Sequence, residues 1–210
     1  MTIGNEFLSL MSSGGPIMWV IFGVACIAMA MLIWEGLRSH SLMKNARLDY
    51  HRLRSSGDDL PIANNCASPI ALILAATHWA DIQSKEDVAK EINIHLAGLT
   101  PKMEGSLATI AILGSLLPML GLLGTVTGMI NVFEVIALQG SGKPDAMADG
   151  ISQALLTTAS GLIIAIPVIF LHHLLSRRVN ALMTITHQAI QLVLHRDVTV
   201  LKNEYHHAHG

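Results

Sequence analysis

Three stretches of this chain, Phe7–Trp34, Ser106–Phe133 and Gly150–Ser176, contain no aspartate, glutamate, lysine or arginine. Each exceeds the ~20 predominantly apolar residues a helix needs to cross about 30 Å of hydrocarbon. At 1.5 Å per residue, a helix of ~28 residues reaches roughly 42 Å, enough to cross and project into the headgroups. Backbone amides in hydrocarbon must be bonded within the spanning structure, and these stretches lack the alternation of a membrane barrel, so helices remain. Only 13% of the 210 residues are charged, against about a quarter in soluble domains. The expected fold is an all-α integral membrane protein with three transmembrane helices extended by cytoplasmic helices.

Basic residues set the expected orientation. None precedes the first span, Arg38, Lys44 and Arg47 follow it closely, Lys143 alone separates the second and third, and Arg177 and Arg178 follow the third. Lysine and arginine near span ends favour the cytoplasmic side. The expected layout is a periplasmic segment over 1–15, spans over 16–34, 106–138 and 150–175, a cytoplasmic helical region over 35–105, a periplasmic turn over 139–149, and a cytoplasmic helix and tail over 176–210. The first span lacks a basic leader region and is too long for a signal peptide's apolar core, so it reads as an uncleaved anchor. Cys26 lies in that span and Cys66 in the cytoplasmic region, so no disulfide is expected. A net charge of −2 gives no support for nucleic-acid binding.

Between the spans the motifs are structural. SSGGPIMW, Ser12–Trp19, reads as a break at the outer face with Pro16 in a first helical turn. Ser39 to about Arg54 continues the first helix, and SSGDDLP, Ser55–Pro61, is a turn. Ser68-Pro69 opens a helix expected to run from Ile70 to about Leu99, and Arg177 to about Tyr205 reads as a further amphipathic helix. His206, His207 and His209 form a polar tail, and His172 and His173 sit at the inner end of the third span. No phosphate loop, metal-ligand spacing or nucleophile–base pair is visible, so neither an enzyme nor a bound cofactor is expected.

The second and third spans carry the informative residues. With Thr125 as the zero of angle at ~100° per residue, Pro118, Gly121, Leu122, Gly128, Met129 and Val132 fall within about 60° of it. Around Thr158, the residues Ile151, Ala154, Leu155, Gly161, Leu162 and Ala165 form the matching stripe. Gly124-xxx-Gly128 has helix-packing spacing, and a threonine hydroxyl can bond back to its own helix, so tight packing alone accounts for much of the pattern. Pro118 and Pro167 each leave a carbonyl four residues earlier without its usual donor. Neither stripe holds a group that titrates. Glu134 lies ~180° from Thr125, near the outer boundary, and Gln153 lies ~140° from Thr158. Any ion path built here needs its charge carrier from another chain.

GLLGTVTGMI (Gly121–Ile130) and GISQALLTTASGLIIAIPVI (Gly150–Ile169) resemble the second- and third-span signatures of the ExbB/TolQ proton-channel proteins, which are related more distantly to flagellar stator subunits. The resemblance implies a homopentamer in the inner membrane of a Gram-negative bacterium, with the second and third spans around a central pore. Inside the pore it implies a single-span ExbD-like partner bearing an ionisable aspartate, and beyond that a TonB-like protein. Thr125 and Thr158 match the family's pore threonines. Thr157, Gln153 and Glu134 become polar or structural neighbours, and Pro118, Gly121, Gly124, Gly128, Gly161 and Pro167 become helix-packing positions. Many members carry glutamate where this chain has Gln153. The absence of tryptophan after GTV looks closer to ExbB than to TolQ. The implied function is a stator that couples proton flow to outer-membrane nutrient uptake, with H⁺ transported and lipid surrounding it. A TolQ-type or motility stator and a passive scaffold are the rival readings.

Overall fold

The computed structural model describes residues 11–55, 68–77, 84–140 and 144–195. Cys66, most of the SSGDDLP turn and the terminal histidines lie outside the described residues. Four helices lie wholly among the described residues: α1 (Gly15–Ser55), α2 (Pro69–Ala76), α3 (Lys85–Gln139) and α4 (Pro144–Leu194); residues 11–13 are also helical. There is no strand among the described residues. Helices α1, α3 and α4 are each long and apolar enough to cross a membrane. Each continues well past its charge-free stretch without a break, α1 through Gly36 and α3 through Pro101 and Gly105.

Two compact units divide the chain. The first comprises residues 1–33 and 108–173 and contains the apolar segments. Its α3 segment buries Ile110, Gly114, Leu117, Gly121, Gly124, Gly128 and Val132. These steps of three and four trace one stripe, as close helix packing requires. The matching buried stripe on α4 is Gly150, Ala154, Thr157, Gly161, Ala165 and Val168. Among the described residues two glycines adopt left-handed backbone, Gly15 at φ 67° and Gly140 at φ 70°. The first opens α1 and the second follows α3, positions at which a side chain would be strained.

The second unit comprises residues 34–107 and 174–210. Its core is aliphatic: Ile70, Leu74, Val88, Ile92, Leu182 and Val193 are fully buried. Ser68 caps α2, its Oγ accepting from Ala71 N at 3.0 Å while donating to Asp49 Oδ2 of α1. Such a cap is worth about 1 kcal/mol.

The helix expected from Ile70 to Leu99 is two helices. α2 stops at Ala76, with Thr77 extended as its C-cap. α3 starts anew at Lys85 under a reciprocal cap: Ser84 Oγ accepts from Asp87 N at 3.2 Å, and Asp87 Oδ2 accepts from Ser84 N at 3.0 Å. SKED, Ser84–Asp87, is a Ser-x-x-acid box, the signature of a new N-terminus. The C-terminal helix expected from Arg177 is not separate, since α4 runs through that point to Leu194.

Candidate functional site

The contacts between α3 and α4 in the first unit explain why glycine recurs here. A Cβ built on Gly161 would stand 2.7 Å from the Leu117 carbonyl oxygen and 3.1 Å from Gly121 Cα. One on Gly128 would stand 2.9 Å from the Gly150 oxygen, and one on Gly121 would meet Thr157 O and Thr158 Cα at 3.1 Å. One on Gly114 would touch Val168 and Ile169. The pairs run in opposite directions along the two helices, so α3 and α4 are antiparallel with backbone against backbone. Thr157 is buried over Gly124, and its hydroxyl donates to Gln153 O and Ala154 O of its own helix.

This close approach permits a hydrogen bond between helices. Thr158 Oγ1 donates to Gly121 O at 2.9 Å. Thr125 Oγ1 donates to Leu122 O of its own helix at 2.6 Å. A carbonyl oxygen can only accept, so each hydroxyl has spent its one proton on the scaffold. What each threonine has left to offer is acceptor lone pairs.

The expected single stripe around each threonine splits in two. Gly121, Gly128, Val132, Ala154, Gly161 and Ala165 lie in the buried seam. Leu122, Met129, Ile151, Leu155 and Leu162 are exposed, Leu122 and Leu155 at 62% and 64%. Thr125 and Thr158 are part-buried at the border between seam and exposed flank. Helical periodicity gave the angle of each residue but not the direction of the neighbour, and the neighbour lies about 60° to one side of the threonines.

On the opposite flank of the seam, the start of α1 meets α4. The side-chain amide of Gln153 lies against Gly15. A polar pocket of about 500 Å³ gathers Ser12, Ser13, Asn131, Asp149, Ser152 and Gln153. Gln153 is therefore not brought to Thr158. Sequence reasoning did not single out Asn131, Asp149 or Ser152, because their grouping depends on three chain segments meeting. Glu134 is exposed, away from the seam. Pro118 is part-buried near the seam, and Pro167 is exposed. No group of three or more histidine, cysteine, aspartate or glutamate side chains able to hold a metal occurs among the described residues.

The profile of a family described as "MotA/TolQ/ExbB proton channel family" matches residues 63–188, more than half of the chain. The biopolymer transport protein exbB1 of Vibrio cholerae is 40% identical over 105 residues, 50% of this chain and 45% of that protein. The Tol-Pal system protein TolQ of Pseudomonas aeruginosa is 34% identical over 116 residues, 54% of this chain and 50% of that protein. The biopolymer transport protein ExbB of Pseudomonas putida is 36% identical over 95 residues, 45% of this chain and 29% of that protein. The chain thus spans about half the length, or less, of these relatives.

Proposed function

The chain belongs to the MotA/TolQ/ExbB proton channel family, and on that footing we propose that it is the stator subunit of an inner-membrane, proton-driven complex of the ExbB–ExbD–TonB type. Five copies surround a pore, the threonine flanks of α3 and α4 face its axis, and a single-span partner inside it carries an aspartate. The N-terminus lies in the periplasm and the basic ends of the spans lie in the cytoplasm.

One observation carries this reading. On the exposed flank of the seam, two hydroxyls have donated their protons to the backbone and present acceptors, amid apolar side chains and no titratable group. An acceptor surface receives a hydrogen bond from a protonated carboxyl and offers nothing to a carboxylate, which needs donors. The sleeve therefore hosts the partner's acid in its neutral form and makes the charged form costly. An unpaired carboxylate at mid-bilayer costs ~2.5–3.5 kcal/mol on insertion scales, and one charge crossing 100 mV yields ~2.3 kcal/mol. The two are comparable, so each protonation can drive a step of the partner between a wet and a dry position.

The relatives named for biopolymer transport support the TonB-linked role. The similarity to TolQ supports a second reading, a Tol-Pal stator working by the same chemistry. The test is proton flux in vesicles holding the chain with a single-span, aspartate-bearing partner. Thr125→Val is expected to cut flux at least about tenfold with assembly intact, and Thr125→Ser to restore it. Full flux in Thr125→Val would remove the threonine from the path. Complementation of TonB-dependent uptake against Tol-dependent envelope integrity separates the two systems.

A further inference from the structure

The second unit contains a cleft of about 750 Å³ whose lining is cationic and apolar together. Lys44 and Arg47 of α1 face Arg177 and Arg178 of α4 across it, and no acid among the described residues lines it. These four residues form no ion pair with any described residue, whereas Arg38 and Arg52 in the same region pair with Glu35 and Asp49. Met43 and Leu174 supply apolar wall. Ser39 also lines the cleft, 2% exposed, and its buried Oγ has no hydrogen-bond partner among the described residues. A buried hydroxyl left without a partner is costly, and one is expected to find a bond to protein, water or ligand. Ser39 and Leu174 each fall within a few residues of the end of a charge-free stretch, the depth at which phospholipid headgroups sit.

We propose that this cleft is a binding site for an anionic phospholipid of the inner leaflet, its phosphate held by Arg47, Arg177 and Arg178 and bonded by Ser39, and its acyl stem leaving toward the hydrocarbon over Leu174. Arginine suits phosphate because its planar fork can bond two oxygens at once. The same cations would attract a soluble phosphate, but the apolar wall has a use only if the ligand carries hydrocarbon. Basic pockets between membrane helices at the cytoplasmic surface are the expected places for acidic headgroups. The proposal rests on the membrane placement of the helices and not on the proton-motor reading.

The experiment titrates the detergent-solubilised full-length chain with phosphatidylglycerol, phosphatidylcholine or inorganic phosphate, following bound lipid by native mass spectrometry and thermal stability. Phosphatidylglycerol is expected to bind and raise the melting temperature, while phosphatidylcholine and inorganic phosphate are expected to have little effect. Arg177→Gln with Arg178→Gln should weaken phosphatidylglycerol roughly thirty-fold, taking about fivefold for each basic residue near the surface. Ser39→Ala should weaken it several-fold without lowering lipid-free stability, since the hydroxyl it removes has no bond to lose. Ala181→Glu, which keeps every basic residue but places a carboxylate in the cleft, should abolish the preference. Arg38→Gln is the control and should bind as the parent does. Equal response to phosphatidylcholine, equal response to inorganic phosphate, or a parent-like Ala181→Glu would each overturn the assignment. Vesicle flux measured with the same variants tests the motor separately.

Discussion

Helices meet in two different ways in this chain. In the unit formed by 1–33 and 108–173, the contact between α3 and α4 is backbone on backbone, with Gly121, Gly128 and Gly161 at the crossing. In the unit formed by 34–107 and 174–210, contact is side chain on side chain, through Ile92, Leu182 and Val193, with the Ser68–Asp49 bond tying α2 to α1. In hydrocarbon, leucine on a helix gains nothing by leaving lipid for a neighbour, so association depends on close fit and interhelical bonds. Where water is the alternative, each buried aliphatic side chain contributes about 1.5–3 kcal/mol and close backbone approach is unnecessary. The contrast assigns a different sensitive residue type to each unit.

Glycine substitution in the first unit should give the largest effect. Gly161→Val pushes side-chain atoms at Leu117 O and Gly121 Cα, neither of which can move without shifting a helix. It is expected to cost more than about 3 kcal/mol and to abolish recovery of assembled protein, read by size-exclusion after solubilisation. Normal assembly of Gly161→Val would break the distinction between the units.

Next comes Leu182→Ala, where a fully buried side chain in the second unit is cut back. The expected loss is about 2–5 kcal/mol by chemical unfolding, the range for a cavity in an aliphatic core. Thr158→Val ranks third. It removes the bond to Gly121 O but keeps shape, and should cost about 0.6 to 1.7 kcal/mol, with Thr158→Ser restoring most of it. Smallest is Gly98→Ala, at an exposed helical position in the second unit with nothing within 4 Å of the added carbon. It should stabilise by about 0.5–1 kcal/mol, opposite in sign to Gly161. A destabilised Gly98→Ala would show that glycine matters alike in both units.

Several particulars show what was legible before the fold was known. The length of the charge-free stretches identified the apolar helices, and Gly124-xxx-Gly128 was readable as a packing element because Gly, Ala and Thr at intervals of three and four have few other uses in a lipid-exposed helix. A local signal for the new start at Lys85 stands in the SKED box, Ser84–Asp87, which the expectation of one helix from Ile70 to Leu99 did not use. The split of each threonine stripe was not legible. Leu122 and Gly121 both lie within about 60° of Thr125 but on opposite sides of it, and one is exposed while the other is buried against Thr157 and Thr158. Nor could the chain of residues reveal that Gln153 abuts Gly15, since these are far apart along it.

From its order of residues alone, this protein was bound to form long apolar helices with small-residue stripes, because uninterrupted charge-free sequence has one way to satisfy its backbone in hydrocarbon. The residues likewise excluded a proton carrier from the threonine faces, since nothing there titrates. Tertiary structure decided which side of each stripe meets a neighbour, which hydroxyl bonds across and which bonds back, and which cations share a cleft. Those outcomes depend on the direction from which a second helix approaches, and a helix's own periodicity carries angle but no record of what lies along it.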